Sequence, residues 1–95
     1  MFFVMKTRNE VAQDWKMRGF SCGLWFDPPG QKWENYRHGT DELIYVLEGT
    51  LELEVSGQRR ILNKGEEAVV PAHANHSVHN IGGCEAQWLY GYQIH

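Results

Sequence analysis

The chain is short of several things, and each shortage narrows what it can be. Cysteine occurs twice in 95 residues, at Cys22 and Cys84, with no C-x-x-C spacing. Neither a disulfide framework nor a thiolate metal cluster is encoded. One disulfide between the two stays open, with two ordinary buried thiols in a reducing compartment as the default expectation. No apolar run approaches the roughly 20 residues of a membrane-spanning helix. The N-terminal MFFVMK is apolar but has no basic segment before it and is too short for a secretory leader. It reads as a first strand or as an arm packed on a neighbour, and the expected location is cytoplasmic. Positive charge is not in excess either: the formal net charge is −3, and the one basic cluster, Arg59-Arg60 with Lys64, reads as a solvated hairpin. That balance argues against nucleic acid and anionic membranes as partners. Repeats, low-complexity tracts and linkers are missing, and 95 residues make a single domain.

Helical patterning is confined to one place. Thr7 and Glu10 have capping-box spacing, Val11, Trp15 and Arg18 follow at intervals of four and three, and Gly19 stands where a helix would stop. The spacing predicts a helix over 8–18, anchored by Trp15 and covering one end of the fold. From residue 20 the pattern is of strands: FSCGLWF, ended by Asp27-Pro28-Pro29-Gly30, then KWENYRH, ELIYVLE, LELEV, RRIL, EAVVP, HSVHNI and CEAQWLYGYQ. Turn signals separate them every eight to twelve residues or so, as in an all-β sandwich or barrel. ELIYVLE is apolar at successive positions and predicts a strand buried on both sides. Residues 1–19 are read as arm and helix, residues 20–95 as the barrel.

Four Trp and four Tyr are many for so short a chain. Such residues line a core, an interface or a pocket. The histidines draw attention for a different reason. His38 and Glu42 flank a tight glycine-bearing turn, and His76 follows a Pro-bearing turn at a strand start. Neutral imidazole with carboxylate suits a divalent first-row metal, and two His with one Glu leave coordination positions open. The alternative is a plain buried His38–Glu42 ion pair, with His76 a satisfied polar group. If His38 faces the interior, alternation also turns Tyr36 inward. If His76 does, so do Val78 and Asn80, while His79 points out. His79 and His95 are expected to be uninvolved. Glu48, Glu52 and Glu54 read as a solvated face and Glu66-Glu67 as a turn.

Residues 30–80 resemble the two short motifs of the cupin superfamily. The first is carried by Gly30, Tyr36, His38, Glu42 and Gly49 within WENYRHGTDELIYVLEG and its preceding glycine. The second is carried by Gly65, Pro71, His76 and Asn80 within GEEAVVPAHANHSVHN. Two positions depart: Tyr36 stands at the family's first metal-binding His, and His73 stands at a glycine. The resemblance implies a cupin-type double-stranded β-helix, or jelly-roll, barrel with a short N-terminal helix. It implies a site in which His38, Glu42 and His76 hold Fe, Mn, Ni or Zn. His73 would be a fourth ligand, a hydrogen-bond partner behind a ligand, or an exposed turn residue. Tyr36 is the candidate catalytic residue, as a proton donor or a hydrogen-bond partner to a bound oxygen. Trp33, Tyr45, Val78, Trp88 and Tyr90 are the candidate pocket residues.

Two functions follow. One is a metal-dependent enzyme of dioxygenase, lyase or isomerase type acting on a small metabolite. The other is a non-catalytic module binding a small molecule or sugar, with a structural metal or none. A homodimer is expected as well, because the two-sided ELIYVLE, the apolar N-terminus and the aromatic last strand carry more apolar surface than one small barrel hides.

Overall fold

The computed structural model describes residues 5–94. The first four residues, on which the strand-or-arm reading of MFFVMK chiefly rests, and His95 lie outside them. The Thr7 hydroxyl accepts the Glu10 N–H at 3.2 Å and the Glu10 carboxylate accepts the Thr7 N–H at 2.9 Å, a closed capping box. Helix α1 follows as Arg8–Met17, and Gly19 at φ +86° takes the left-handed conformation beyond its end. Val11 and Trp15, one turn apart on the same face, are both fully buried. The Trp15 indole N–H donates to Glu67 at 2.8 Å. Glu67 is therefore the first residue of a strand and a helix anchor, not part of a turn.

Eight strands follow: β1 Gly23–Asp27, β2 Lys32–Tyr36, β3 Glu42–Glu48, β4 Leu51–Val55, β5 Gln58–Leu62, β6 Glu67–Val70, β7 His76–Asn80 and β8 Ala86–Tyr92. They form two four-stranded antiparallel sheets, β1-β8-β3-β6 and β2-β7-β4-β5, faced together as a jelly roll. Two expected strands are shorter than their sequence patterns. FSCGLWF pairs regularly only from Gly23, with Phe20 making a lone bridge to Gln93. KWENYRH leaves the sheet after Tyr36, so His38 stands in a loop.

Alternation places Leu51 and Leu53 of β4 in the core between the sheets, with Ile44, Val46, Leu62, Val70 and Val78. β3 is buried on both faces because the helix lies across its outside: Leu43 and Tyr45 pack with Val11, Trp15 and Leu89. The helix thus covers a sheet face and not an end of the fold. Tyr45, expected in the pocket, belongs to this outer layer. With Glu42 facing inward, a residue three positions along the same strand faces outward. The apolar outer face of β3, one of the reasons for expecting a dimer, is covered by the chain's own helix. Cys22 is half-buried and Cys84 exposed, both free, so the expectation of two buried thiols fails at Cys84. No helix among the described residues is long and apolar enough to cross a membrane.

Gly91 marks the tightest point of this packing. A Cβ there would overlap the Ser21 carbonyl oxygen and stand 2.7 Å from the Trp15 ring. Gly91→Ala is expected to cost at least about 1–3 kcal/mol of stability through overpacking, read as a lower denaturation midpoint. An unchanged midpoint would show that helix and sheet can separate freely at this point.

Candidate functional site

Three side chains meet at one end of the space between the sheets. His38 comes from the loop after β2, Glu42 opens β3 and His76 opens β7. Glu42 Oε1 lies 3.4 Å from His38 Nε2 and 3.2 Å from His76 Nε2. Candidate ligand atoms of all three fall within 4.8 Å of one another. The loop that carries His38 is held by the backbone: the His73 N–H donates to the His38 carbonyl at 2.7 Å. His73 has φ +67°, the left-handed region that glycine favours, which accounts for the glycine at this place in the cupin motif. Its imidazole is exposed and lies outside the cluster, so neither a ligand nor a side-chain partner role is realised. The atom behind His76 is instead the Ala74 carbonyl, 3.4 Å from Nδ1, which leaves Nε2 turned toward Glu42.

Glu42 and His76 are each about 4% exposed, and His38 is partly open. Burial disfavours the charged His76 ring, but the Glu42 carboxylate, as acceptor and as negative charge, outweighs that, with backbone help from Ala74 and Tyr36. The net result raises the His76 pKa above its ordinary value of 6.5. Burial, then the nearby Glu42 charge and Tyr90, push the Tyr92 phenol up. Glu42 Oε1 is nevertheless buried without an aligned hydrogen bond, its neighbours being the two imidazole nitrogens. Two donors at about 2.1 Å from a shared ion and about 105° apart are themselves some 3.3 Å apart. The Glu42–His separations of 3.2 and 3.4 Å match that spacing. An unpaired buried carboxylate oxygen between two imidazole nitrogens fits a divalent cation of the kind the sequence called for.

The cluster opens into a cavity of about 310 Å³. Tyr36, Trp33 and Val78 line one side, Trp25, Trp88, Tyr90 and Tyr92 the other. Trp33 and Tyr36 are three apart, so a regular strand would turn them to opposite faces. The register of β2 on β7 slips between Trp33↔Val78 and Tyr36↔His76, and Asn35 sits at φ +59°. One extra residue restores both rings to the cavity. The Tyr36 ring stands 6.4 Å from His76 and 6.5 Å from His38, centre to centre.

Asp27 was read as part of a turn and is the residue that sequence reasoning missed. It is 1% exposed. Its Oδ1 accepts the indole N–H of Trp25 at 2.9 Å and of Trp33 at 3.0 Å, and its Oδ2 that of Trp88 at 2.9 Å. Three rings of the wall are thereby held by one carboxylate. The Asp-Pro-Pro-Gly string hides this role, because it is a turn signal whatever the Asp does. Trp25 and Tyr92 were named only among the aromatics at large, although the 88, 90, 92 spacing of β8 puts three rings on one face. Asn80 turns inward but does not line the cavity. Its amide donates to the carbonyls of Asp27, Pro28 and Cys84, pinning the β1 turn.

A family model described as Cupin domain matches residues 23–92. The chain belongs to the cupin family. This cupin is 30% identical over 69 residues to the polyketide synthase CurC of Streptomyces cyaneus, a match covering 72% of the chain and 45% of that protein. Among solved structures it resembles the Cnp3 cupin domain of Schizosaccharomyces pombe, with a TM-score of 0.76 and 20% identity over 81% of this chain and 57% of that one. It also resembles an oxalate oxidase, with a TM-score of 0.73 and 23% identity over 81% of this chain and 43% of that one. The chain spans about half the length of these proteins.

Two outcomes are expected of the site. Asp27→Ala strands buried indole N–H groups, each costing about 1–3 kcal/mol. Denaturation should show a loss of at least about 3 kcal/mol, together with collapse of the near-ultraviolet tryptophan dichroism. In metal-free protein, the raised His76 value means that the His76–Glu42 pair stabilises the fold fully below pH 6.5 and loses that effect as pH rises through the folded value. The stability difference between wild type and His76→Gln should therefore shrink from mildly acidic to alkaline pH. A difference that grows instead would contradict the assigned sign.

Proposed function

We propose that this cupin is a small metal-dependent enzyme in which His38, Glu42 and His76 hold one divalent ion, Fe, Mn, Ni or Zn. The observation that carries the reading is Glu42 Oε1, buried, without a hydrogen bond, and set between two imidazole nitrogens. When bound, such an ion supplies Lewis acidity to a substrate oxygen and leaves positions open for it. The rest falls to the chain's own residues. Glu42 offsets part of the ion's charge, and the Ala74 carbonyl holds the His76 ring in orientation. The aromatic walls exclude water from a substrate seated above the cluster. The Tyr36 hydroxyl, on a ring that is 42% exposed and borders both imidazoles, is the proposed proton donor or hydrogen-bond partner for a substrate oxygen. The relative named a polyketide synthase supports the enzyme reading; the proposed reaction is of dioxygenase, lyase or isomerase type on a small molecule.

A second reading is a non-catalytic binding module for a small molecule or sugar, favoured by a cavity walled mainly by aromatic rings. Turnover assays of the loaded protein under aerobic and reducing conditions separate the two. Self-association belongs to the proposal through exposed Phe26, Ile61 and Val69, and a cytoplasmic location is proposed with it.

His76→Ala is expected to abolish stoichiometric metal uptake, measured by elemental analysis of protein purified without a His-tag. The fold should persist by circular dichroism. Full metal content in that variant would remove the proposed centre.

A further inference from the structure

Apart from tyrosine hydroxyls, the cavity has its polar side chains at one end only. His38, Glu42 and His76 form that end, and aromatic rings make up most of the remaining wall. Asp27 does not add a second polar end, because three indole N–H groups already engage its carboxylate and it is 1% exposed. The indoles, in turn, have given their only donors to Asp27 and present carbon to the cavity. Among the described residues no Lys or Arg lines the space, so a second anionic group on a ligand would be buried without a counter-charge, which is costly. Resting on the metal reading above, a divalent ion with the single Glu42 carboxylate leaves the polar end with one net positive charge. That charge attracts one anionic oxygen and repels a cation that the aromatic rings alone would favour. The size, about 310 Å³, is at the lower end of the roughly 300–1,000 Å³ of small-molecule sites.

We infer that the ligand is a small, flat, mainly aromatic molecule with a single acidic oxygen group at one end, directed at the His38–Glu42–His76 centre. Its ring lies among Trp25, Trp33, Trp88 and Tyr90, held by stacking and apolar contact. Dicarboxylates and organic cations of the same size are selected against, by absence of a counter-charge and by repulsion respectively.

Matched probes test this: benzoate, terephthalate, which adds a second carboxylate to the same ring, and benzyltrimethylammonium. Zinc uptake is first measured by calorimetry, and each probe is then titrated into zinc-loaded and metal-free protein with calorimetry and tryptophan fluorescence as readouts. Benzoate should bind the loaded protein at least tenfold tighter than the metal-free protein, with quenching, and at least tenfold tighter than either other probe. Trp25→Leu should weaken benzoate at least threefold with zinc uptake unchanged. Failure to take up zinc, and equally nickel, manganese and ferrous iron, overturns the metal reading and this inference with it. Normal zinc uptake with terephthalate or the ammonium bound as well as benzoate overturns the inference alone. So does benzoate binding that is indifferent to zinc or to Trp25→Leu.

Discussion

The convergence of three indole N–H groups on Asp27 is the constraint on which the pocket depends. It ties β1, which carries Trp25 and Asp27, to β2 through Trp33 and to β8 through Trp88. β1 and β8 belong to one sheet and β2 to the other, so one carboxylate crosses the gap between layers. A buried carboxylate is tolerable only when its oxygens are engaged, and indole N–H edges supply donors without bringing further charge. The Asn80 side chain completes the arrangement by bonding the Asp27 and Pro28 carbonyls from β7. Those bonds hold the backbone of the turn while the indoles hold its side chain.

At the other end of the cavity, Glu42 has the opposite condition. Its Oε1 is as inaccessible as the Asp27 carboxylate but lacks a hydrogen bond. The two buried carboxylates thus contrast, one fully engaged by donors and the other left with imidazole nitrogens at 3.2 and 3.4 Å. Between them runs a wall of aromatic rings in edge-to-face contact, Trp25 with Trp33 at 5.8 Å and Trp88 with Tyr90 at 6.1 Å. Edge-to-face packing fixes ring orientation as well as position. The cavity is therefore shaped before any ligand arrives.

Much of the fold could be read along the chain because its signals are local. Thr7 with Glu10, the alternation of LELEV and the glycine turns each act within a few residues. The reading went wrong where it stopped short of a neighbouring layer, and strict alternation fails at one irregularity. The bulge at Asn35 lets Trp33 and Tyr36 share a face that strict period-two counting denies them. Tyr45 was counted with the aromatic pocket candidates, although its three-residue offset from Glu42 puts it under the helix. Of the three readings left open for His73, the exposed turn residue is the one observed, and its backbone N–H holds the His38 loop.

The sequence by itself determined the succession of strands, the capped helix and the candidacy of His38, Glu42 and His76, since residue type and spacing within each local motif carry those properties. Only the tertiary structure decided that an atom of Glu42 is left unpaired between two imidazoles, because that depends on distances between residues 34 positions apart in the sequence, Glu42 and His76. It alone decided the part played by Asp27. A carboxylate at the head of an Asp-Pro-Pro-Gly turn looks the same on paper whether it faces water or three tryptophans. Its partners lie 2, 6 and 61 residues away. No local pattern encodes a contact whose members meet only when two sheets close face to face.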